Sequence, residues 1–165
     1  MSEGIGARVL RKEDKRFITG KGRYTDDIIE ANQAYAAFVR SPHAHARIVS
    51  LDTSAALAME GVETVLTGPE LVADGIGNII CGWGITSKDG TPMNMGAWSA
   101  LATEKVRYVG DAVAIVVADS KSQAKLAAEA VVVTYEELPV VVGSVEALAP
   151  GAPQLHDNAP GNLIF

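Results

Sequence analysis

The sequence has 165 residues, 48% of them apolar and only 5% aromatic, with a formal net charge of −6. That is enough apolar material for one packed domain built mainly from Ala, Val, Ile and Leu, while the acidic balance argues against a nucleic-acid binder, which needs a basic face. No apolar run approaches the roughly 18–20 residues that cross a bilayer, the Met-Ser-Glu-Gly start carries no secretory signal, and the one cysteine, Cys81, excludes an internal disulfide and points to a reducing, cytoplasmic setting.

Residues 1–30 form an arm. Arg8, Arg11, Lys12, Lys15, Arg16, Lys21 and Arg23 crowd together, with Asp26, Asp27 and Glu30 close behind. A helical turn is predicted over 13–18, stopped by Gly20. Few apolar side chains (Val9, Leu10, Phe17, Ile18, Tyr24) are available to anchor this arm, so it is expected to lie against something else.

From residue 31 to 150 the pattern is that of an α+β unit. Strands are predicted at 34–40 and 47–52, the second from Ile48, Val49 and Leu51. Ser41-Pro42 divides them, because proline cannot donate to a ladder. Asp52-Thr53-Ser54 offers caps for a helix over 55–59 that Gly61 ends. A strand at 62–67 runs into Gly68-Pro69-Glu70, which opens a short helix. Residues 76–96 are glycine-rich and without period, a long loop or irregular hairpin. Strands at 105–108 and 112–118 flank the turn at Gly110-Asp111. Ser120 and Gln123 start a helix reaching Ala130, whose alanine-rich face lets it lie close on a sheet. A strand at 132–136 follows and ends at Leu138-Pro139. The strand–helix–strand order over 112–136 fits either a parallel crossover or a split unit. Residues 151–165, rich in Pro and Gly and ending Leu163-Ile164-Phe165, are expected to be a linker, so the chain reads as the front of a longer polypeptide.

Local chemistry is sparse. Gly4-Ile5-Gly6, Gly20-Lys21-Gly22 and Gly75-Ile76-Gly77 lack the strand before and the helix after that a dinucleotide loop needs, and are expected to be turns. His43-Ala44-His45 would project two imidazoles to one side of an extended chain, a spacing compatible with two metal ligands. Cys81, His156 or a carboxylate would have to complete that set, and no second cluster announces itself. The plainer expectation is that both histidines bond to backbone near the Pro42 corner, flanked by Arg40 and Arg47. Glu136 and Glu137, adjacent on a strand, face opposite ways and cannot easily share one acid–base site. Together with Asp26-Asp27 and Glu129 they are expected to be solvated. Cys81 lies in a Gly-rich stretch near Trp83, with no basic neighbour in sequence to make it a reactive thiolate.

Several longer motifs carry more. Arg11-x-Glu13-Asp14-x-Arg16-Phe17-Ile18-Thr19-Gly20-Lys21-Gly22-Arg23-Tyr24-Thr25-Asp26-Asp27, preceded by Gly6-x-Arg8, is followed by Arg40-Ser41-Pro42-His43-Ala44-His45-Ala46-Arg47-Ile48, then by Gly61-Val62-x-x-Val65-Leu66-Thr67-Gly68, Val106-Arg107-Tyr108-Val109-Gly110-Asp111 and Tyr135-Glu136-x-Leu138-Pro139. In this order they resemble the opening of the large, molybdenum-binding subunit of the molybdenum hydroxylases, a family that includes xanthine dehydrogenase, aldehyde oxidase and aerobic carbon monoxide dehydrogenase, the last branch most of all. The resemblance implies an α/β hammerhead domain with a mixed sheet and helices packed on it. It implies an oxidoreductase that takes oxygen from water and passes electrons from a molybdopterin centre through iron–sulfur clusters to FAD.

In such enzymes the cofactor motifs and the catalytic glutamate lie beyond a segment of this length. No catalytic, cofactor-binding or metal-binding residue is therefore assigned here. The segment is expected to hold no cofactor of its own and to act as a scaffold in a cytoplasmic enzyme. Its partners would be C-terminal molybdopterin-binding domains and separate FAD-binding and iron–sulfur subunits, with a small-molecule substrate for the whole enzyme. A stand-alone binding module with a hammerhead fold is the alternative.

Overall fold

The computed structural model describes residues 4–7 and 9–165; Met1-Ser2-Glu3 and Arg8, the basic residue of the first motif, lie outside the described residues. The chain divides into two compact units, Met1–Gln33 and Ala34–Phe165.

In the first unit, helix α1 (Asp14–Ile18) is a single turn, with Asp14 in its first turn held by Arg11 at 3.0 Å. Gly20 stops it at φ +69°, its amide donating to the Phe17 carbonyl. A 3-10 turn follows over Thr25–Asp27, where the Asp27 carboxylate accepts from the Tyr24 amide at 2.9 Å. The rings of Phe17 and Tyr24 stack with centroids 5.3 Å apart.

The second unit holds strands β1 (Tyr35–Arg40) and β2 (Ala46–Asp52), helix α2 (Ser54–Leu57), strand β3 (Val62–Thr67), helix α3 (Gly68–Ala73), strands β4 (Lys105–Val106) and β5 (Ala112–Ala118), helix α4 (Lys121–Ala130), strand β6 (Val132–Glu137) and helix α5 (Ser144–Ala147). The strands form two three-stranded sheets, ordered β1-β5-β3 and β4-β2-β6. Every pairing is antiparallel, so the mixed sheet expected from the sequence resolves into two antiparallel ones. Both edges of β5 are occupied, by β1 and β3, and β6 pairs instead with the free edge of β2. Helix α4 thus links the two sheets and is not a parallel crossover within one. The strand expected at 105–108 shortens to Lys105–Val106, because Asp111 draws the chain away by accepting from the Arg107 amide at 3.0 Å.

Two apolar clusters hold the unit together. One joins Ala56, Val65, Ala114, Val116, Ala127 and Val131; the other joins Ala46, Ala102, Val106 and Val113. Adjacent residues of β5, Val113 and Ala114, serve different clusters because successive strand side chains point to opposite faces. In β2 the register with β6 skips Val49, which is left as a bulge, and this returns both Ile48 and Leu51 to the core side. Helix α4 buries Ala124 and Ala127 almost completely. Such short side chains allow its close seat on the sheet, and its start is capped by Ser120 accepting from the Gln123 amide.

The glycine-rich stretch is an irregular hairpin. Thr86 bridges Pro92, and the turn closes at Gly90 with φ +87°. Helix α3 ends with Gly75 at φ +79°, the Ile76 amide donating back to Leu71, so this glycine pair is a helix stop.

Candidate functional site

Three motif segments distant in sequence meet at one corner of the second unit, and backbone groups do most of the joining. The Ser41 amide donates to the Asp111 carbonyl and the Gly110 amide donates to the Ser41 carbonyl, each at 2.8 Å. Arg40 adds a third bond, Nη1 to the Gly110 carbonyl at 2.8 Å. On the other side the Leu138 amide donates to the His45 carbonyl at 3.0 Å. The His45 ring reaches the Pro139 carbonyl through Nδ1 at 2.8 Å. Ser41, 2% exposed, turns the chain between these contacts by accepting from the His43 amide with its hydroxyl.

The two histidines do not converge. His45 is 5% exposed, and its Nε2 is buried with no hydrogen-bond partner among the described residues. His43 lies in a different setting, its ring 4.9 Å from that of Tyr135 and its Nδ1 3.6 Å from Glu137 Oε1. Among the described residues no three His, Cys, Asp or Glu side chains come close enough to hold a metal ion. Backbone bonding near a proline therefore describes His45, although the proline is Pro139 and not Pro42. Glu136 and Glu137 do diverge, to Arg47 at 3.2 Å and to His43. Glu129 is exposed on α4, and the exposed Cys81 donates its thiol to the Trp83 carbonyl at 3.7 Å.

Beside the corner lies a cleft lined by Trp98, Arg107, Tyr108, Asp111 and His156. Arg107 donates from Nε to the Leu155 carbonyl at 2.8 Å and from Nη1 to the Lys105 carbonyl at 3.4 Å. Lys105 clamps the same segment through Asp157 at 2.9 Å and holds that carboxyl below its usual range. Burial, then the Arg107 charge, lowers the His156 pKa. Burial, then Asp111, raises that of Tyr108, and burial likewise raises Tyr135. The cleft measures about 50 Å³. A ligand pocket usually needs roughly 300 Å³ or more, and one liquid water takes about 30 Å³. The cleft has room for water and not for a ligand of more than a few atoms.

A second hollow of about 310 Å³ reaches that size, but its walls are Ile79, Ile80, Met93, Met95, Trp98 and Ile164. Its polar groups are Cys81, Asn94 and His156; the Cys81 thiol donates to the Trp83 carbonyl, and among the described residues no hydrogen bond joins it to His156. This surface is suited to packing. Sequence reasoning missed Asp111 as the joint between corner and cleft, although it stood in the Gly110-Asp111 turn and in the Val106–Asp111 motif. It also missed Asn162, whose side chain bonds Ala147, Pro153 and Leu155.

Among the described residues, no helix is long and apolar enough to cross a membrane.

The family model for the aldehyde oxidase and xanthine dehydrogenase a/b hammerhead domain matches residues 19–139. The carbon monoxide dehydrogenase large chain of Hydrogenophaga pseudoflava is 42% identical over 159 residues, which span 96% of this chain and 18% of that protein. The nicotine 6-hydroxylase large subunit of Paenarthrobacter nicotinovorans is 40% identical, over 96% of this chain and 19% of its own. The crystal structure of quinoline 2-oxidoreductase from Pseudomonas putida 86 superposes with a TM-score of 0.78 at 39% identity, over 93% of this chain and 19% of that one. The chain thus spans about a fifth of the length of these relatives, and the corner that ties 40–45, 107–111 and 135–139 together falls inside the matched region. It belongs to the aldehyde oxidase and xanthine dehydrogenase a/b hammerhead domain family.

Proposed function

We propose that this chain is the non-catalytic scaffold segment of the molybdenum-binding large subunit of a cytoplasmic oxidoreductase of the carbon monoxide dehydrogenase, aldehyde oxidase or xanthine dehydrogenase type. Residues 1–30 act as an arm, 31–150 as the hammerhead domain, and 151–165 lead toward molybdopterin-binding domains. Iron–sulfur clusters and FAD sit on partner subunits. The chain supports the molybdenum centre and contributes no catalytic, cofactor-binding or metal-binding side chain.

One observation carries this reading: within a region that matches the family, the motif residues are spent on holding backbone segments together. His45, Ser41, Arg40, Arg107 and Asp111 all bond to main-chain groups. An iron–sulfur cluster needs several thiolates and the sequence has Cys81 alone, which supports placing the clusters on other polypeptide. The substrate is left open by the relatives themselves. Proteins named for carbon monoxide, nicotine and quinoline are 42%, 40% and 39% identical to this segment, so similarity here does not follow substrate chemistry.

The test is metal analysis and dye-linked oxidation on the complete natural protein and on the 165-residue chain. Molybdenum, iron and flavin are expected in the complete assembly, together with oxidation of carbon monoxide, an aldehyde, a purine or an N-heterocycle. A 165-residue preparation that retains molybdopterin or turns over a substrate overturns the reading.

A further inference from the structure

We propose that the apolar surface built by the 79–98 hairpin is the seat of large-subunit polypeptide that follows this segment, which closes over Trp83 and Trp98. This rests on the scaffold reading above.

The surface is unusual for water. Ile80 is 90% exposed, Trp83 81%, Ile79 60%, Trp98 56% and Met95 51%. Both tryptophans of the chain are among them. An aromatic of this size buries roughly 150–250 Å² when covered, and the largest apolar patch of an ordinary monomer is about 300–600 Å². Between residues 76 and 100 the only charged side chains are Lys88 and Asp89. The hollow of about 310 Å³ is already shaped in the middle of this surface.

Chain direction selects the occupant. The Asn94 amide donates to the Ile164 carbonyl at 2.7 Å, and Asn94 Nδ2 donates to the Leu163 carbonyl at 3.1 Å. Ile164 lines the hollow and Phe165 stands 63% exposed beside it. Polypeptide continuing from Phe165 emerges on the surface it would cover. A short tether gives such a segment an effective concentration of about a millimolar, which a second copy in solution does not match. The relatives, of which this segment is about 18%, have ample chain for the purpose. A membrane is disfavoured by charge: lipid-facing surfaces carry flanking Lys and Arg, whereas this one has Lys88 alone within a chain of net charge −6.

Cys81 and Lys88 make the test direct. In the complete natural protein, a native iodoacetamide pulse followed by peptide mapping should label Cys81 about tenfold or more slowly than the same pulse in urea. Amine cross-links from Lys88 should reach residues beyond position 165. Labelling at the unfolded rate overturns the inference, as do Lys88 cross-links confined to Lys88 of another copy, or quenching of tryptophan emission by vesicles of brominated anionic lipid. Ile80→Asp supplies a second measurement. It touches little within this segment, so it should lower the thermal midpoint of the complete protein, and an unchanged midpoint counts against the seat. Molybdenum content of the same preparation separates the two proposals. Protected Cys81 with Lys88 cross-links beyond position 165, in protein without molybdenum, ends the functional reading and keeps the seat; freely labelled Cys81 in molybdenum-replete protein does the reverse.

Discussion

His45 Nδ1 lies 2.8 Å from the carbonyl oxygen of Pro139, 94 residues further along the chain. Because a carbonyl only accepts, Nδ1 carries the hydrogen. The neighbouring Leu138 amide returns a bond to the His45 carbonyl, so one residue locks the start of β2 to the end of β6 from both its ring and its backbone. Replacing His45 with Phe keeps an aromatic ring, a somewhat larger one, and leaves the Pro139 carbonyl without its donor. A loss of about 1–3 kcal/mol is expected in urea unfolding, with an unchanged m-value. If His45→Phe is as stable as the parent, the bond is incidental.

Gly68 opens α3 pressed against the backbone of Ala102 and Leu101, so an added Cβ would collide with the Ala102 carbonyl. Main chain cannot swing aside as a long side chain does. Gly68→Ala should therefore cost about 1–3 kcal/mol, the usual range for overpacking. Gly77, where an added Cβ would meet nothing within 4 Å, is the control. Gly77→Ala should change stability little, and equal effects at the two sites would refute the close approach.

Asn162 sits at φ +58°, its Nδ2 donating to the Ala147 and Pro153 carbonyls and its Oδ1 accepting from the Leu155 amide. Asn162→Asp keeps the shape and loses both donors. The expected cost is about 1–3 kcal/mol, with faster amide exchange across residues 147–162. Exchange that stays at the parent rate would show that other contacts hold this segment.

His156 sets a pH dependence. Its pKa is lowered from the usual 6.5 by burial first and the Arg107 charge second. The folded state therefore binds its proton less readily than the unfolded state. Stability from this group is fully present above pH 6.5 and is lost as pH falls from there through the folded pKa. Denaturation midpoints across that window should decline, and His156→Gln should flatten the slope. An NMR titration of the ring at or above 6.5 would contradict the assignment.

Gly96 defends that histidine, since an added Cβ would come within 2.9 Å of His156 Nδ1. Gly96→Ala should displace the ring toward water and bring its pKa back toward 6.5, again read by NMR. A pKa that stays where the parent's lies would show that the ring's burial does not depend on Gly96.

Much of this protein was legible in its residues because the relevant forces are local. The Ser120–Gln123 cap, the alanine face of α4, the Gly20 stop and the opposed faces of Glu136 and Glu137 follow from dihedral preference and period, which act within a few positions. The motif order carried the family for the same reason: it is written along the chain. What lay beyond sequence was partnership between distant segments. That β6 pairs with β2, that Val49 bulges so that Ile48 and Leu51 share a face, that His45 finds Pro139 while His43 finds Tyr135, and that Asn94 meets the 163–164 backbone all depend on which free edges and unpaired carbonyls remain once the core has closed. Spacing along a chain holds no record of those leftovers, because satisfying a buried polar group is settled by the whole packed arrangement.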